Sequence, residues 1–283
     1  MKKVFIDTHC HLNFKRFNKN RDQVIEDAHQ KGVEICVVPG TDIASAQKAV
    51  EIATQNTNIY AAVGIHPHHT FGVTHAADTL QNEMQELAKL LIHPKVVAVG
   101  EVGLDKHAYD DTKYPNYQID DVFLKTQKEY FIAQMDLAKH YKKALIIHNR
   151  ETKKELLTIL DAQWSEQMGF HTVFHCCEPD EALLEYAITH NVYIGVDGDV
   201  TYGGEKAAFV KKVPLSALVL ETDSPFLLPE PLRAQKLYPN TPSTIPLIAQ
   251  CIAELKGIAV EDVARATTEN ACRLFNIAIA PRG

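Results

Sequence analysis

The fold is decided near the amino terminus, where residues 4–11 read VFIDTHCH. The first half of this stretch, Val4–Asp7, has the β-branched and aromatic composition of a short buried strand. The turn that follows it reads Asp, Thr, His, Cys, His and contains no glycine. An open dinucleotide-binding sheet is expected to carry a glycine-rich turn, G-x-G-x-x-G, at this point. The stretch therefore argues against that fold and puts histidines at the end of the first strand.

Seven more strand-like runs follow, separated by stretches with helical spacing. The eight predicted strands are Val4–Asp7, Glu34–Val38, Ile59–Val63, Val96–Gly100, Ala144–Ile147, Thr172–Phe174, Val192–Val196 and Leu218–Glu221. Strand and helix alternating eight times, with strands apolar on both faces, favour an α/β fold closed into a (β/α)8 TIM barrel. We predict a single domain over residues 1–283, because no linker rich in Pro, Gly or Ser divides the chain. Residues 105–117 and 225–243 are expected to be rim loops, and residues 243–276 to form two closing helices.

Composition and charge exclude several classes of protein. The 283 residues carry 29 Lys+Arg against 36 Asp+Glu, a formal net charge of −7, whereas proteins that hold long duplex DNA usually present a basic face. We therefore expect any nucleic acid to bind at a small site. No apolar run approaches the ~20 residues of a membrane span, and the first residues do not resemble a signal peptide. The six cysteines lack CxxC spacing, which favours a reducing, cytoplasmic setting.

Histidine and acidic residues follow the predicted strands, where the reactive groups of such barrels lie. They are His9 and His11 after the first strand, Glu101 after the fourth, His148 after the fifth, His175 after the sixth and Asp223 after the eighth. His9 and His11 are two residues apart, so in an extended backbone they share a face, about 7 Å apart at Cα. Two imidazoles at that spacing can hold one divalent cation.

Each of these residues also has a structural explanation when taken alone. His148 and His175 could cap core strands through hydrogen bonds, and Asp223 could form a turn. Glu101 is harder to explain without a partner, because it lies in Val-Gly-Glu-Val-Gly, where an ionised carboxylate is costly unless it meets a cation. The cysteine pair 176–177 is expected to pack rather than to ligate, since strand alternation points Cys176 away from His175. The convergence of six groups on one rim therefore predicts a metal site.

The number of predicted ligands indicates two metal ions. A single tetrahedral zinc site uses three or four protein ligands, whereas six ligands match two ions about 3.5–4 Å apart. Glu101 is the expected bridge, with His9, His11 and Asp223 on one ion and His148 and His175 on the other. Mixed nitrogen and oxygen ligation admits Zn²⁺, Mn²⁺ or Ni²⁺ and leaves Mg²⁺ possible.

Seven motifs carry a family resemblance over the whole chain. They are DTHCHL (7–12), GIHPH (64–68), VGEVGLD (99–105), IHNR (147–150), FHC (174–176), LETDSPFL (220–227) and TENACRLF (268–275). In this order they resemble the TatD-type metal-dependent deoxyribonucleases, a branch of the amidohydrolase-like TIM barrels. The resemblance implies a (β/α)8 barrel, two divalent metal ions and hydrolysis of phosphodiester bonds of the 3′-to-5′ exonuclease type. It implies metal ligation by the same six residues.

The expected mechanism follows from a pair of ions. A hydroxide that bridges them has a pKa lowered toward ~7 and is the predicted nucleophile. Asp223 is the predicted general base and, with the bridging Glu101, forms the predicted catalytic pair. Substrate contacts are predicted for His66, His68, Arg150 and Arg233.

The rim loops leave the substrate open. Residues 106–115 form a longer loop than the family pattern has, and residues 233–242 lack one Arg and the Gly of that pattern. DNA or another phosphodiester is the expected substrate, and a small amide, ester or lactone is the alternative, because the same ion pair attacks carbonyl carbon equally well. A metal-binding module without activity is disfavoured, since structural sites are usually rich in cysteine and filled by protein ligands.

Overall fold

Strands and helices alternate along the chain in the computed structural model, which describes residues 3–73, 76–110 and 112–279. The strands are β1 Phe5–Asp7, β2 Val33–Pro39, β3 Ile59–Val63, β4 Val96–Asp105, β5 Ala144–Arg150, β6 Thr172–Phe174, β7 Tyr193–Val196 and β8 Leu218–Leu220. The α-helices of the described residues are α1 Arg21–Gln30, α2 Ile43–Gln55, α3 Ala76–Leu91, α4 Asp121–Tyr141, α5 Lys153–Gln163, α6 Glu181–His190, α7 Gly204–Lys212, α8 Ile245–Lys256 and α9 Val260–Phe275.

The eight strands form one parallel sheet in the order β1 to β8. β1 and β8 meet at their carboxyl ends, where the Thr8 amide donates to the Leu220 carbonyl at 2.9 Å and the Asp223 amide donates to the His9 carbonyl at 2.9 Å. A parallel bridge between Cys10 and Ser224 continues this contact. The predicted (β/α)8 barrel is confirmed, and its closing hydrogen bonds run through two of the segments that carry predicted ligands.

Alternate residues of each strand face opposite apolar layers. In β2, Ile35 and Val37 belong to a cluster inside the barrel, whereas Cys36 and Val38 pack in the larger cluster between the strands and the helices. The last turn of α9, through Phe275, joins the inner cluster. Apolar side chains therefore fill the barrel away from the mouth where the strands end, which leaves that mouth for polar groups.

Two strands extend further than the apolar runs predict. β4 continues from Gly100 to Asp105 and β5 from Ile147 to Arg150, with Asp105 paired to Arg150 at the far end of the ladder. Polar residues are tolerated in these extensions because the neighbouring strand forms hydrogen bonds with their backbone N–H and C=O groups. Their side chains reach the mouth of the barrel. His148 consequently lies within the hydrogen-bonded ladder, and Glu101 lies in β4 at a shift in register between Val99 and Val102, rather than in a loop after the strand.

The two segments expected to be rim loops lie mainly outside helices and strands, and the two predicted closing helices correspond to α8 and α9. Among the described residues, no single helix has both the length and the hydropathy to cross a membrane. The stretches Pro242–Lys256 and Val260–Phe275, bent by 114° at a short break, meet that test only as a pair, by length and composition alone.

Gly103 allows β4 and β5 to approach closely beside the predicted ligands. Its φ is +142°, and a Cβ at this position would lie 2.0 Å from the carbonyl oxygen of His148. No other residue type fits without moving one strand away from the other.

We expect Gly103→Ala to lower the free energy of unfolding by about 3 kcal/mol or more, because backbone strain of about 1–3 kcal/mol adds to the backbone clash. Gly72→Ala is the matched control, since Gly72 also has a positive φ, +73°, but nothing lies within 4 Å of its Cβ position. Denaturant unfolding of both variants measures the difference. Equal losses of stability would contradict the argument from close approach.

Candidate metal centre

The six predicted ligands converge at the carboxyl-terminal mouth of the barrel. Five of them line a cavity of about 640 Å³, namely His11, Glu101, His148, His175 and Asp223. His9 is fully buried, and its ring stacks on that of His175 with the centroids 3.5 Å apart. Residues separated by more than 200 positions in the chain thus share one small volume at the end of the barrel.

A first group of donor atoms comprises Nε2 of His9, Nε2 of His11, Oε2 of Glu101 and Oδ1 of Asp223. The two Nε2 atoms are 3.2 Å apart. The Glu101 oxygen lies 3.5 Å and 3.7 Å from them, and the Asp223 oxygen lies 3.7 Å and 3.3 Å from them. Around a cation with bonds of about 2.0–2.2 Å, tetrahedral donors lie roughly 3.4 Å apart. The spacing of this group fits a divalent ion.

A second group surrounds the other oxygen of Glu101. Oε1 lies 2.9 Å from Nδ1 of His148, 3.7 Å from Nε2 of His175 and 3.6 Å from Nε2 of His66. Glu101 therefore divides its two oxygens between two sets of imidazoles, which is how a bridging carboxylate is shared. Imidazole nitrogen mixed with carboxylate oxygen suits Zn²⁺, Mn²⁺ or Ni²⁺ and admits Mg²⁺.

Two carboxylates that the sequence analysis did not select orient the histidines of the second group. Oδ2 of Asp105 lies 2.9 Å from Nε2 of His148, and Oε1 of Glu221 lies 3.1 Å from Nδ1 of His175. The hydrogen bond to Asp105 and the close contact with Glu221 each occupy one ring nitrogen, and the other nitrogen of each ring faces Glu101 and is left for a metal. The available sequence signal was position: Asp105 ends the GLD segment, and Glu221 precedes Asp223 by two residues.

The same contacts shift the pKa values of these imidazoles. Burial opposes the charge on His148, but hydrogen bonds to Asp105 and Glu101 outweigh it and raise its pKa to about 9. Burial likewise opposes the charge on His175, and the field of Glu221 raises its pKa to about 10. The surroundings of both rings are therefore strongly negative, which favours a cation at this position.

Glu101 is ionised although it is buried. Burial by itself disfavours the charge, but the field of His66 and hydrogen bonds with His148 and His9 hold the pKa of Glu101 well below its usual range. Burial also disfavours the charged form of His9 and His66, and it lowers their pKa values below the ordinary value for imidazole. A neutral imidazole is the form that binds a metal.

Asp7 ties the first and last ligand segments together. Its Oδ1 accepts hydrogen bonds from the amides of His9 and Thr222, each at 3.1 Å, and its Oδ2 accepts from the Thr222 hydroxyl at 2.6 Å. Burial raises the pKa of Asp7 to about 8. The side chain is fully buried, so Asp7 acts on the metal centre by fixing the backbone next to His9 and Asp223.

Three of the four predicted substrate residues line the cavity. His66 lies at the metal centre, and His68 contacts Thr112 through Nε2 at 2.9 Å. The Arg150 guanidinium donates to the Tyr109 hydroxyl at 3.3 Å, and that hydroxyl donates to Asp105 at 2.7 Å. A chain of hydrogen bonds thus joins Arg150, on the cavity wall, to the carboxylate that orients a predicted ligand.

Arg233 is not among the cavity-lining residues of the described chain. Its guanidinium lies over the Tyr202 ring, 4.2 Å from the centroid, and donates to Glu230 at 3.2 Å. Glu230, only three residues away, thus competes with the cavity for the Arg233 guanidinium. The buried cation on the cavity wall is instead Lys206, which the sequence analysis missed.

Lys206 belongs to a polar cluster beside β6 and β7. Its Nζ lies 3.2 Å from Oδ2 of Asp199 and 4.0 Å from Oδ2 of Asp197. Cys176, which has a left-handed φ of +44°, lies next to both carboxylates and lines the cavity. Burial raises the pKa of the Cys176 thiol well above its ordinary value, which disfavours the thiolate. All six cysteines are free.

Comparison with known proteins shows the family of the chain. The family model for TatD related DNase matches residues 6–276. The chain belongs to the TatD-related DNase family. It is 36% identical to the uncharacterized metal-dependent hydrolase YabD of Bacillus subtilis, over 97% of this chain and 100% of that protein. It is 31% identical to the 3'-5' ssDNA/RNA exonuclease TatD of Erwinia amylovora, over 96% of this chain and 99% of that protein.

A solved structure extends the family relationship to three dimensions. The crystal structure of YJJV, a TatD homologue from Escherichia coli K12, superimposes with a TM-score of 0.84 at 28% identity, covering 98% of this chain and 100% of that one. As a member of the TatD family, the chain is a metal-dependent hydrolase, and relatives in the family carry the names deoxyribonuclease and exonuclease. The predicted family and enzyme class are confirmed.

We expect Asp105→Asn to weaken divalent-metal binding by about 10-fold to 100-fold, because the carboxylate that fixes the His148 ring is lost while the six predicted ligands remain. Metal content after dialysis against graded chelator concentrations measures the loss. Asp136→Asn is the control, since Asp136 is exposed and pairs with Lys139 on α4. Unchanged metal retention in Asp105→Asn would contradict the orienting role.

Proposed function

We propose that the chain is a phosphodiesterase that uses two divalent metal ions and removes nucleotides from the 3′ end of single-stranded DNA. The observation that carries the proposal is the sharing of the Glu101 carboxylate between two imidazole groups, 2.9–3.7 Å from its oxygens, at the floor of a cavity. Paired metal sites of this kind serve in-line displacement at phosphorus. The name of the Erwinia amylovora relative supports the same substrate class.

The six predicted ligands divide into two sets in this proposal. His9, His11 and Asp223 would hold one ion, His148 and His175 would hold the other, and Glu101 would contribute to both sites. When bound, two divalent ions supply a nucleophile derived from water at neutral pH and polarise the scissile phosphoryl group. The protein contributes rigid positions, because β4 and β5 stay paired up to Asp105 and Arg150.

Asp223 is the proposed general base. One oxygen, Oδ1, faces His9 and His11, so the second oxygen is available to accept a proton from the attacking water. The side chain lines the cavity, and its backbone is fixed by the hydrogen bond from its amide to the His9 carbonyl at 2.9 Å. This combination of partial exposure and fixed position is what general-base catalysis requires.

Arg150 is the proposed phosphate-binding residue. Its guanidinium is part of the cavity wall and can bind a phosphate through two parallel hydrogen bonds. His66 and His68 are proposed to contact the substrate or to protonate the leaving group. A cavity of about 640 Å³ on a chain of net charge −7 suits the end of a single strand and not a duplex, whose recognition needs an extended basic surface. We also propose that residues 1–283 act as one catalytic domain in the cytoplasm.

The alternative is hydrolysis of a small amide, ester or lactone at the same centre. It is favoured by the position of Arg233, which pairs with Glu230 outside the cavity. Glu178 and Asp199 add acidic groups to the wall, and they reduce the attraction for a polyanion. An assay of both substrate classes separates the two functions.

We expect the Mn²⁺-loaded protein to shorten a 5′-labelled single-stranded oligonucleotide stepwise from its 3′ end, with mononucleotides as products. Circular single-stranded DNA of the same composition is expected to survive, because it offers no end for the cavity. Lactones, esters and amides are assayed in parallel. Turnover of these small molecules without release of nucleotides would favour the alternative function.

We expect Glu101→Ala to reduce turnover by more than about 10³-fold, because both ions lose a shared ligand. Bound metal per chain, measured by elemental analysis, is expected to fall in the same variant while circular dichroism shows that the fold is retained. Glu86→Ala serves as the control, since Glu86 is exposed and pairs with Lys89 on the surface of α3. Substantial activity in Glu101→Ala with one bound ion per chain would refute the paired-metal mechanism.

A further inference from the structure

Two phenylalanines line the cavity on the side formed by the segments after β1 and β8. They are Phe14 and Phe226. Phe226 is a large apolar side chain that is 51% exposed although it lies three residues from the proposed general base. An exposed aromatic ring at the mouth of a polar site gains from being covered by an apolar surface of a ligand.

The rings are held in fixed positions relative to the metal centre. Phe14 stacks on the imidazole of His11, with centroids 4.3 Å apart and planes 18° apart. Phe226 is nearly perpendicular to both, 6.2 Å from Phe14 and 6.5 Å from His11. The Phe226 amide donates to the Asp223 carbonyl at 2.9 Å, which ties the backbone of Phe226 to that of Asp223.

The end of β5 and the segments that follow β6 and β7 bring a different chemistry to the cavity. They carry the cations Arg150 and Lys206, together with Asn149 and the acidic Glu178 and Asp199. A ligand that fits both sets of side chains and the centre has an anionic group for the metal ions and the cations, and a flat apolar ring for the phenylalanines. A nucleotide combines these features, whereas an aliphatic amide or lactone lacks the ring.

We propose that Phe226, supported by Phe14, stacks on the base of the 3′-terminal nucleotide and holds its phosphate at the metal centre. The inference rests on the proposed function and adds a base-binding subsite to it. Because every base has an apolar face, such a platform binds the terminal nucleotide without selecting its sequence. It also compensates for the small number of cations in the cavity, since affinity comes from stacking as well as from phosphate contacts.

We expect Phe226→Ala to raise KM for an ordinary single-stranded oligonucleotide by about 10-fold or more, the range of one lost base stack. The decisive comparison uses an oligonucleotide whose 3′-terminal residue has no base. The wild-type protein is expected to show the raised KM on this substrate already, and Phe226→Ala to change it by less than about 2-fold. Phe226→Trp, which keeps a flat ring, is expected to restore the KM on the ordinary substrate.

A binding measurement tests the platform without hydrolysis. An oligonucleotide with 2-aminopurine at its 3′ end and a non-hydrolysable terminal linkage, mixed with the Ca²⁺-loaded wild-type protein, is expected to lose fluorescence when the base stacks. The loss is expected to disappear in the Phe226→Ala protein. Tyr238→Ala is the matched control, because Tyr238 is 56% exposed in the same rim loop but does not line the cavity.

The outcomes separate this inference from the proposed function. If the wild-type protein hydrolyses the oligonucleotide but Phe226→Ala raises KM equally with and without the terminal base, or leaves KM unchanged on both substrates, stacking is refuted and the exonuclease stands. If the wild-type protein neither binds nor hydrolyses single strands, the exonuclease fails and the base subsite fails with it. A loss of quenching in Tyr238→Ala as large as in Phe226→Ala would refute a localised platform.

Discussion

The buried carboxylate of Glu101 is the constraint on which the rest of the site depends. An ionised carboxyl group enclosed by apolar strands is costly unless opposite charge surrounds it. Five histidines, His9, His11, His66, His148 and His175, lie within 3.7 Å of its two oxygens. The cost of burying the charge is offset only when these rings, or the cations they hold, remain in place. Metal binding and the integrity of the barrel mouth are therefore linked.

The carboxylates of Asp105 and Glu221 explain how imidazoles from distant strands keep their orientation toward the candidate metal centre. A histidine side chain rotates freely unless its second nitrogen is engaged. Asp105 engages His148 at 2.9 Å, and Glu221 engages His175 at 3.1 Å. Gly195 leaves room for the second of these contacts, since a Cβ on it would lie 2.4 Å from the Glu221 carboxylate. The small residue in β7 is thus part of the metal centre although it carries no donor.

The sequence was sufficient for the barrel and for the meeting of the six residues, because both follow from periodicity. Eight apolar runs separated by helical stretches leave little choice of architecture, and parallel strands bring residues such as Glu101 and Asp223 to one mouth. It did not reveal how far β4 and β5 continue, because pairing with a neighbouring strand is invisible in a local pattern. Arg233 illustrates a second limit: a loop cation takes the nearest partner, here Glu230 and Tyr202, and a motif does not record that competition. Lys206 was missed because a lysine in a helical stretch ordinarily faces solvent, whereas this one is buried at the cavity.

The separation of strands from loops determines what can vary in such an enzyme. The predicted ligands sit on or next to strands whose backbones are paired or tied by Asp7, and any change there disturbs several partners at once. Tyr109, Arg150 and Phe226 line the cavity and are less constrained by partners in the core. Under the proposed mechanism, paired cations would supply the same nucleophile for phosphorus and for carbonyl carbon, so the substrate that the rim binds would decide the reaction. A rim that carries two aromatic rings and a few cations favours a ligand with a flat ring and an anionic group over a neutral aliphatic one. The identity of the substrate is therefore a property of a handful of side chains at the rim, whereas the chemistry belongs to the barrel.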